Sequence, residues 1–381
     1  MKLTSSLHKI REALEQYNGE KLSLLVGEPY YLPPDSLTEA MKKAADEGSN
    51  RYSVPAGNPA LQELICDYER RQGLDINPDN LVIGNGSKSL LFGLFHVIAD
   101  GGIMVPTPTY PPMFVQPQIL NRELITIRTQ NPFRLNVNHL EELSQAGSCL
   151  VIGTPSNPTG IVLTEREQKD LVAWCRKRNV RIIADEVYNE LVFSDQFVSF
   201  ATIDPDLSTA IVVRSFSKSL GICGWRLGYT ISDPDLAQSL SRWQTVTLNP
   251  PSTIIQRALE LFLLNFSGGA PDYSSYFAET AKLMKDLFTQ FGISSVDPDG
   301  GFYLFINVKK VIEAGDFMNA VDLCEKIARE YGIGFWPGDD YGQPGWMRAS
   351  FGMIAPENRE SILDQLFERL QSFLRKYRFI S

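Results

Sequence analysis

Between about residues 80 and 235, short apolar runs alternate with helical patterns along the chain. "NLVIGNG" reads as a strand and "SKSLLFGLFHVIA" as the helix that follows it. "GGIMVPTPTY" and "SCLVIGTPSNPTG" are two further strands, and "TEREQKDLVAWCRKR" is a helix with an apolar face. "VRIIADEVY", "TAIVVRSFSKS" and "WRLGYTIS" continue the series. Nearly continuous Val and Ile runs separated by helices predict an α/β fold with a largely parallel sheet covered on both faces. Such sheets bind ligands beyond the carboxyl ends of their strands.

Past this region the pattern turns helical, from "PSTIIQRALELFLLNF" to "DYSSYFAETAKLMKDLFTQFG". A C-terminal lobe follows that mixes strands ("GGFYLFINV", "WMRASFG") with helices. In the last helix Leu363, Leu366, Phe367, Leu370, Phe373 and Leu374 recur at three and four, the stripe of one buried face. The N-terminal "MKLTSSLHKIREALEQYN" spaces its Leu and Ile residues as a short amphipathic helix and has no apolar signal core. No internal repeat or low-complexity tract interrupts the chain.

Composition narrows the picture. At 381 residues and 43% hydrophobic, the chain is long and apolar enough for two domains, or one large domain and a smaller lobe, without a metal or disulfide staple. The net charge of −9 excludes a basic nucleic-acid footprint, though it leaves room for a local cationic site for a small anion. Cys66, Cys149, Cys175, Cys223 and Cys324 are scattered without a C-x-x-C pair, and His8, His96 and His139 are the only histidines, so no metal is expected. The cysteines read mostly as small buried apolar groups in a reducing compartment. No run reaches the roughly 18 apolar residues of a membrane span, and a cytoplasmic location is the expectation.

The polar clusters all fall at strand ends. "GNGSKS" (84–89) joins a strand to a helix: Gly86 permits close backbone approach, Ser87 donates to an anion, and the helix dipole favours negative charge there. The same residues also fit a plain serine N-cap. "SNPTG" (156–160) is a turn signature around Asn157. "ADEVY" (184–188) ends a strand in Asp185, with Tyr188 three positions on; an acid there is either a site residue or simply solvated. In "SFSKSLGICGWRLGY" (215–229), Ser215 and Ser217 alternate along what reads as extended chain, Lys218 projects beside them, and Arg226 is a forked donor suited to phosphate. Alone, that stretch is also compatible with a serine-rich loop carrying solvated charges. Four clusters at the strand ends of one sheet are a stronger signal than any single cluster.

Taken together, "VGEP" (26–29), "YSVPAGNPAL" (52–61), "GNGS" (84–87), "PTY" (108–110), "SNPTG", "ADEVY", "SFSKSLGICGWRLGY", "GGFYLF" and "MRASFG" resemble the class I/II aminotransferases of the pyridoxal 5′-phosphate (PLP) fold type I group, which have the aspartate-aminotransferase fold. The resemblance implies a large domain with a mainly parallel seven-stranded sheet and a smaller α+β domain. The corresponding division is 1–35 for an N-terminal segment packing on the small domain, 36–275 for the large domain and 276–381 for the small one. It implies that Lys218 forms a Schiff base with PLP, that Asp185 pairs with the pyridine nitrogen, and that Asn157 and Tyr188 hydrogen-bond the phenolic oxygen. Gly86, Ser87, the Lys88 backbone, Ser215, Ser217 and Arg226 would hold the phosphate, and Tyr110 would stack on the ring and join the catalytic set. Tyr52 would reach the phosphate of a partner subunit's cofactor in a homodimer. Arg348 would clamp the substrate α-carboxylate, helped by Gly27 and Asn157.

These implied roles make chemical sense. PLP is an electron sink for the pair left when Cα loses its proton, Asp185 keeps the ring nitrogen protonated, and Lys218 is placed as the general base. The sequence departs from the family at Ser87, where alanine is frequent, at Gln62, where arginine is, and at "YYLPP", which replaces an acid–aromatic pair. Tyr30 and Tyr31 therefore lie near the expected substrate mouth, as specificity elements or as packing aromatics. Amino transfer between an amino acid and a 2-oxo acid is the leading activity. A PLP lyase or cyclase on the same scaffold, for example acting on a hydroxylated arginine-like amino acid, is the alternative. A non-catalytic sensor is disfavoured by the intact set of Lys218, Asp185 and Arg348.

Overall fold

The computed structural model describes residues 6–98, 101–141, 143, 148–194, 197–265 and 273–380. A two-residue strand, β1 (Leu22–Ser23), precedes the seven strands of the main sheet. These are β2 (Leu81–Gly84), β3 (Ile103–Thr107), β4 (Leu124–Arg128), β5 (Cys149–Gly153), β6 (Arg181–Asp185), β7 (Ala210–Ser215) and β8 (Gly228–Ile231). Across the sheet the order is β2-β8-β7-β6-β5-β3-β4. All pairings from β7 to β4 are parallel, while β8 runs antiparallel to both β2 and β7. The run pattern finds every one of these strands except β4. That edge strand buries Ile127 but leaves Leu124 and Ile125 partly exposed and Thr126 and Arg128 exposed, so it carries no continuous apolar signal.

The Val and Ile runs are unbroken because both faces of the sheet are covered. Leu150, Ile152, Ile182, Ala184 and Val212 enter one core with the helices Pro59–Arg71, Glu165–Lys177 and Thr253–Leu264. Their alternates Val151, Ile183, Ile211 and Val213 enter a second core with Ser87–Val97 and Pro234–Thr247. Burying each Val, Leu or Ile side chain contributes about 1.5–3 kcal/mol, so the period of two fixes which residues face which layer. Glu165–Lys177 starts at a capping box in which Thr164 and Glu167 satisfy each other's backbone amides.

The C-terminal strands are β9 (Tyr303–Asn307), β10 (Ile333–Gly334), β11 (Trp336–Pro337) and β12 (Trp346–Ser350). β11, β12 and β9 form an antiparallel sheet, in that order. The final helix, Arg359–Lys376, buries Leu366, Leu370, Phe373 and Leu374, with Leu363 and Phe367 partly buried at the margin of the stripe. The N-terminal helix Ser6–Glu15 buries Ile10, Ala13 and Leu14 in the same core, and β1 pairs with β10 through Leu22 and Ile333. Among the described residues no helix is long and apolar enough to cross a membrane.

Candidate active site

Register brings the polar clusters into one row. Gly153 pairs with Asp185, Asp185 with Val213, and Gly228 with both Ser215 and Gly84. The carboxyl ends of β2, β5, β6 and β7 therefore meet the start of β8 along a single edge of the sheet. A cavity of about 450 Å³ opens there, the size of a small-molecule site.

At one end of the cavity the groups are donors. Gly86, at φ 79°, is the N-cap of helix Ser87–Val97, and no side chain caps it. Ser87 is thus the first helical residue, not the cap, which corrects the plain N-cap alternative. Its hydroxyl and the Ser87 and Lys88 amides stand ahead of the intrahelical ladder. A Cβ on Gly86 would come within 2.5 Å of Arg226 Nη2, so only glycine lets the guanidinium lie against the helix start. Arg226 adopts the left-handed conformation (φ 60°) and donates from Nη1 to the Cys223 carbonyl at 2.8 Å. The expectation of extended chain through Ser217 is also corrected: β7 stops at Ser215, and Phe216–Ser219 is a helical turn. Ser215 caps that turn, accepting from the Ser217 amide at 3.2 Å and donating to the Ser217 hydroxyl at 2.9 Å. Both hydroxyls still line the cavity.

Lys218 sits on the same helical turn. Its Nζ donates to the Gly27 carbonyl at 2.6 Å and contacts Cys223 Sγ at 3.2 Å. The Tyr31 hydroxyl donates to the Lys218 carbonyl. Asp185 shows part of its surface to the cavity, while its buried Oδ1 has no hydrogen-bond partner among the described residues. Burial pushes its carboxyl from the ordinary 3.8 up to about 7; the Val187 amide and the charge of Lys218 pull it down, and Glu186 pushes it up. Tyr188 and Tyr303 share a 2.5 Å hydroxyl–hydroxyl bond. Tyr110 lines the cavity with the Lys88 ammonium 5.8 Å from its ring centroid.

Arg348 on β12 is 1% exposed, and among the described residues no carboxylate pairs with it. Nη1 donates to Asn157 Oδ1 at 3.0 Å, Nη2 donates to the Leu25 carbonyl, and Nε is buried without a partner. Its guanidinium carbon lies 4.3 Å from the Tyr303 ring centroid and 4.8 Å from that of Trp336. The rings hold the cation without neutralising it, leaving its charge for an anion in the cavity.

Of the residues singled out from the sequence, Gly27, Ser87, Lys88, Tyr110, Asn157 and Asp185 line this one cavity. Tyr188, Ser215, Ser217, Lys218, Arg226 and Arg348 line it as well. Gly86 abuts it through Arg226, whereas Tyr52 lies outside it and is 86% exposed. Tyr30 and Tyr31 pack instead of lining the mouth: Tyr31 stacks on Tyr273 at 3.6 Å, and Tyr30 meets Tyr276 edge-on. Gln62 is buried and donates to the Leu81 carbonyl at 3.0 Å, a structural role in place of the family's arginine. The composition argument misses Cys223, the one partly exposed cysteine among five that are otherwise buried, and its position five residues after Lys218 was the available signal. Tyr303 and Trp336 are missed too; Tyr303 lies within the quoted "GGFYLF".

The model of the family "Aminotransferase class I and II" matches residues 19–366. The chain belongs to that family. It is 30% identical to an aspartate aminotransferase of Thermotoga maritima, over 97% of this chain and 96% of that protein. It is 27% identical to an asparagine–oxo-acid transaminase of Streptococcus mutans, over 96% and 94% of the two chains. The crystal structure of the Thermotoga maritima aspartate aminotransferase superposes with a TM-score of 0.88 at 27% identity, covering 97% of each chain. The protein is a PLP-dependent aminotransferase with the aspartate-aminotransferase fold. The cavity of the aminotransferase fits PLP: a donor-lined cradle suits the phosphate, and the unpartnered Asp185 oxygen suits a protonated ring nitrogen.

Proposed function

We propose that this aminotransferase moves an amino group between an amino acid and a 2-oxo acid, with Lys218 as the residue that bears the cofactor and shuttles the proton. The carrying observation is the convergence on one cavity of the Lys218 amine, the unpartnered Asp185 oxygen and the buried, carboxylate-free Arg348. When bound, PLP supplies an aldehyde that condenses with amines and a ring that takes up the electron pair released at Cα.

The chain's own groups do the rest. The Ser87 and Lys88 amides, the hydroxyls of Ser87, Ser215 and Ser217, and the Arg226 guanidinium would hold the phosphate, with Gly86 giving Arg226 its room. Asp185 would accept from the ring nitrogen, Asn157 and Tyr188 would donate to the ring's phenolic oxygen, and Tyr110 would cover a ring face. Arg348 binds the substrate α-carboxylate through its free edge, beside Gly27, and so orients the Cα–H bond. Such positioning contributes several kcal/mol, with about 7–11 as an upper range. With PLP bound, the Lys218 amine would take the proton from Cα and carry it past the substrate nitrogen to the carbon on the other side. The Lys218 amine donates to the Gly27 carbonyl and lies against Cys223 Sγ at the cavity wall.

The relatives above are named for aspartate and asparagine, so a four-carbon amino acid with a 2-oxo acid acceptor is the first pair to assay. A homodimer is part of the proposal: Tyr52 and Val54 are exposed outside the cavity, as are Val246 and Leu248, and Tyr52 would reach the phosphate site of the second copy. So is the division at 1–35, 36–275 and 276–381, with Gly27, Lys218 and Arg348 each coming from a different segment. The test is borohydride reduction of the holoenzyme, digestion and peptide mapping, together with amine transfer from candidate donors to 2-oxo acids. A pyridoxyl adduct on Lys218 and a product amino acid are expected. An adduct elsewhere, or loss of Cα deuterium without amine reaching any acceptor, overturns the proposal.

A further inference from the structure

Behind the strand ends, on the face of the sheet away from the cavity, three charged side chains are sealed together. Arg214 alternates with Val213 and Ser215 along β7 and therefore points away from Ser215. It is 4% exposed, and Glu69 and Glu186 are both 0% exposed. Arg214 Nη1 donates to both Glu69 oxygens, at 2.7 and 2.6 Å. Its Nε and Nη2 donate to Glu186 Oε2, at 3.2 and 3.0 Å. Glu186 also receives the Ser199 hydroxyl at 2.8 Å and the Phe200 amide at 2.8 Å, and Glu69 receives the Tyr229 hydroxyl. Among the described residues every hydrogen-bond partner of both carboxyl groups is a donor, as two carboxylates require. One guanidinium facing two carboxylates leaves an excess negative charge, one residue beyond Asp185.

We propose that the Glu69–Arg214–Glu186 cluster positions and sets the charge of the amino-transfer site, acting through Asp185 to hold a proton on the cofactor's ring nitrogen. The inference rests on Asp185 as that nitrogen's partner. Its geometric half is direct. The cluster bonds helix Pro59–Arg71, the end of β6, β7 and β8 to one another, and these strands bear Asp185 and Ser215 and begin two residues after Arg226. Its electrostatic half follows from the excess charge. In a dry interior a carboxylate at adjacent-residue range raises the proton affinity of every group at the site. Burial is the largest influence on the Glu186 carboxyl and holds it above its ordinary value, against the pull of Arg214 and the donated bonds. Glu190, receiving the Tyr68 hydroxyl at 2.9 Å, adds a further acid beside Glu69 and Arg214, while Lys218 opposes them from the cavity side.

The holoenzyme tests this through the pH titration of the bound cofactor's absorbance, read beside kcat and KM. Glu186→Gln removes one negative charge with little change of shape. The titration midpoint is expected to fall by about one unit and kcat by about tenfold, with KM within about twofold of wild type. Arg214→Met moves the midpoint the other way. The double variant Arg214→Met/Glu186→Gln has the wild-type net charge, and its midpoint returns toward wild type although the hydrogen bonds are gone, which a purely structural role would not produce. If Arg214→Met does not fold, Glu186→Gln decides alone. A midpoint and kcat unchanged in Glu186→Gln overturn the inference. If Asp185→Ala also leaves titration and turnover unchanged, the assignment of Asp185 falls with it; if Asp185→Ala abolishes both, only the inference about the cluster falls.

Discussion

Asp185→Asn should affect the apoprotein and the holoenzyme in opposite directions. Burial lifts the folded carboxyl from 3.8 to about 7, a rise of about three units. A group whose folded pKa is raised contributes stability that is fully present below the unfolded pKa and is lost as pH climbs through the folded one. The window is therefore about pH 4 to 7, and at pH 8 ionising Asp185 in the apoprotein costs at most roughly 4 kcal/mol, less to the extent that the cavity admits water. The amide cannot ionise. After the cofactor is stripped with a carbonyl scavenger, the variant should therefore melt progressively higher relative to wild type as pH rises from 4.5 to 8. Loaded with cofactor, the variant loses the ring-nitrogen partner. A charge partner shifts a pKa by about 1–3 units, so turnover should fall by about 10–10³-fold. Scanning calorimetry at the two pH values reads the first effect and steady-state kinetics the second. A melting difference that does not vary with pH would refute the reasoning.

Three further outcomes follow from the same geometry. Lys218→Ala should fold and retain near-normal circular dichroism, yet turn over below about 10⁻³ of wild type and give no pyridoxyl peptide after borohydride. Near-normal turnover would remove Lys218 from its role. Arg348→Ala should raise KM for carboxylate substrates by about 10²-fold or more, since a charge-assisted bidentate contact is lost; an unchanged KM argues against the clamp. Tyr31→Phe deletes the bond to the Lys218 carbonyl while keeping the stack on Tyr273. It should cost about 1 kcal/mol of stability and a few-fold in kcat with KM unchanged, and a KM effect as large as the kcat effect would place Tyr31 at the substrate instead.

The sequence was most informative where physics is local or periodic. Val and Ile runs specified a sheet buried on both faces, because a strand covered on both sides cannot alternate with polar residues. The strand-end clusters around Gly86, Asn157, Asp185 and Lys218 could be placed on one edge, because parallel strands bring their carboxyl ends together. Even the helix start at Ser87 was legible, although its cap was not: Gly86 takes the cap, and Ser87 is left free to face the cavity.

What the chain pattern could not supply was contact between distant residues. Arg214 meets Glu69 across 145 positions, Tyr188 meets Tyr303 across 115, and Lys218 reaches the Gly27 carbonyl across 191. Hydrophobic periodicity reports which face a side chain takes and is silent on which polar group waits for it there. Packing of the N-terminal and C-terminal segments against the sheet edge sets Gly27 beside Lys218 and brings Arg348 into the same cavity, and that packing is a property of the folded molecule.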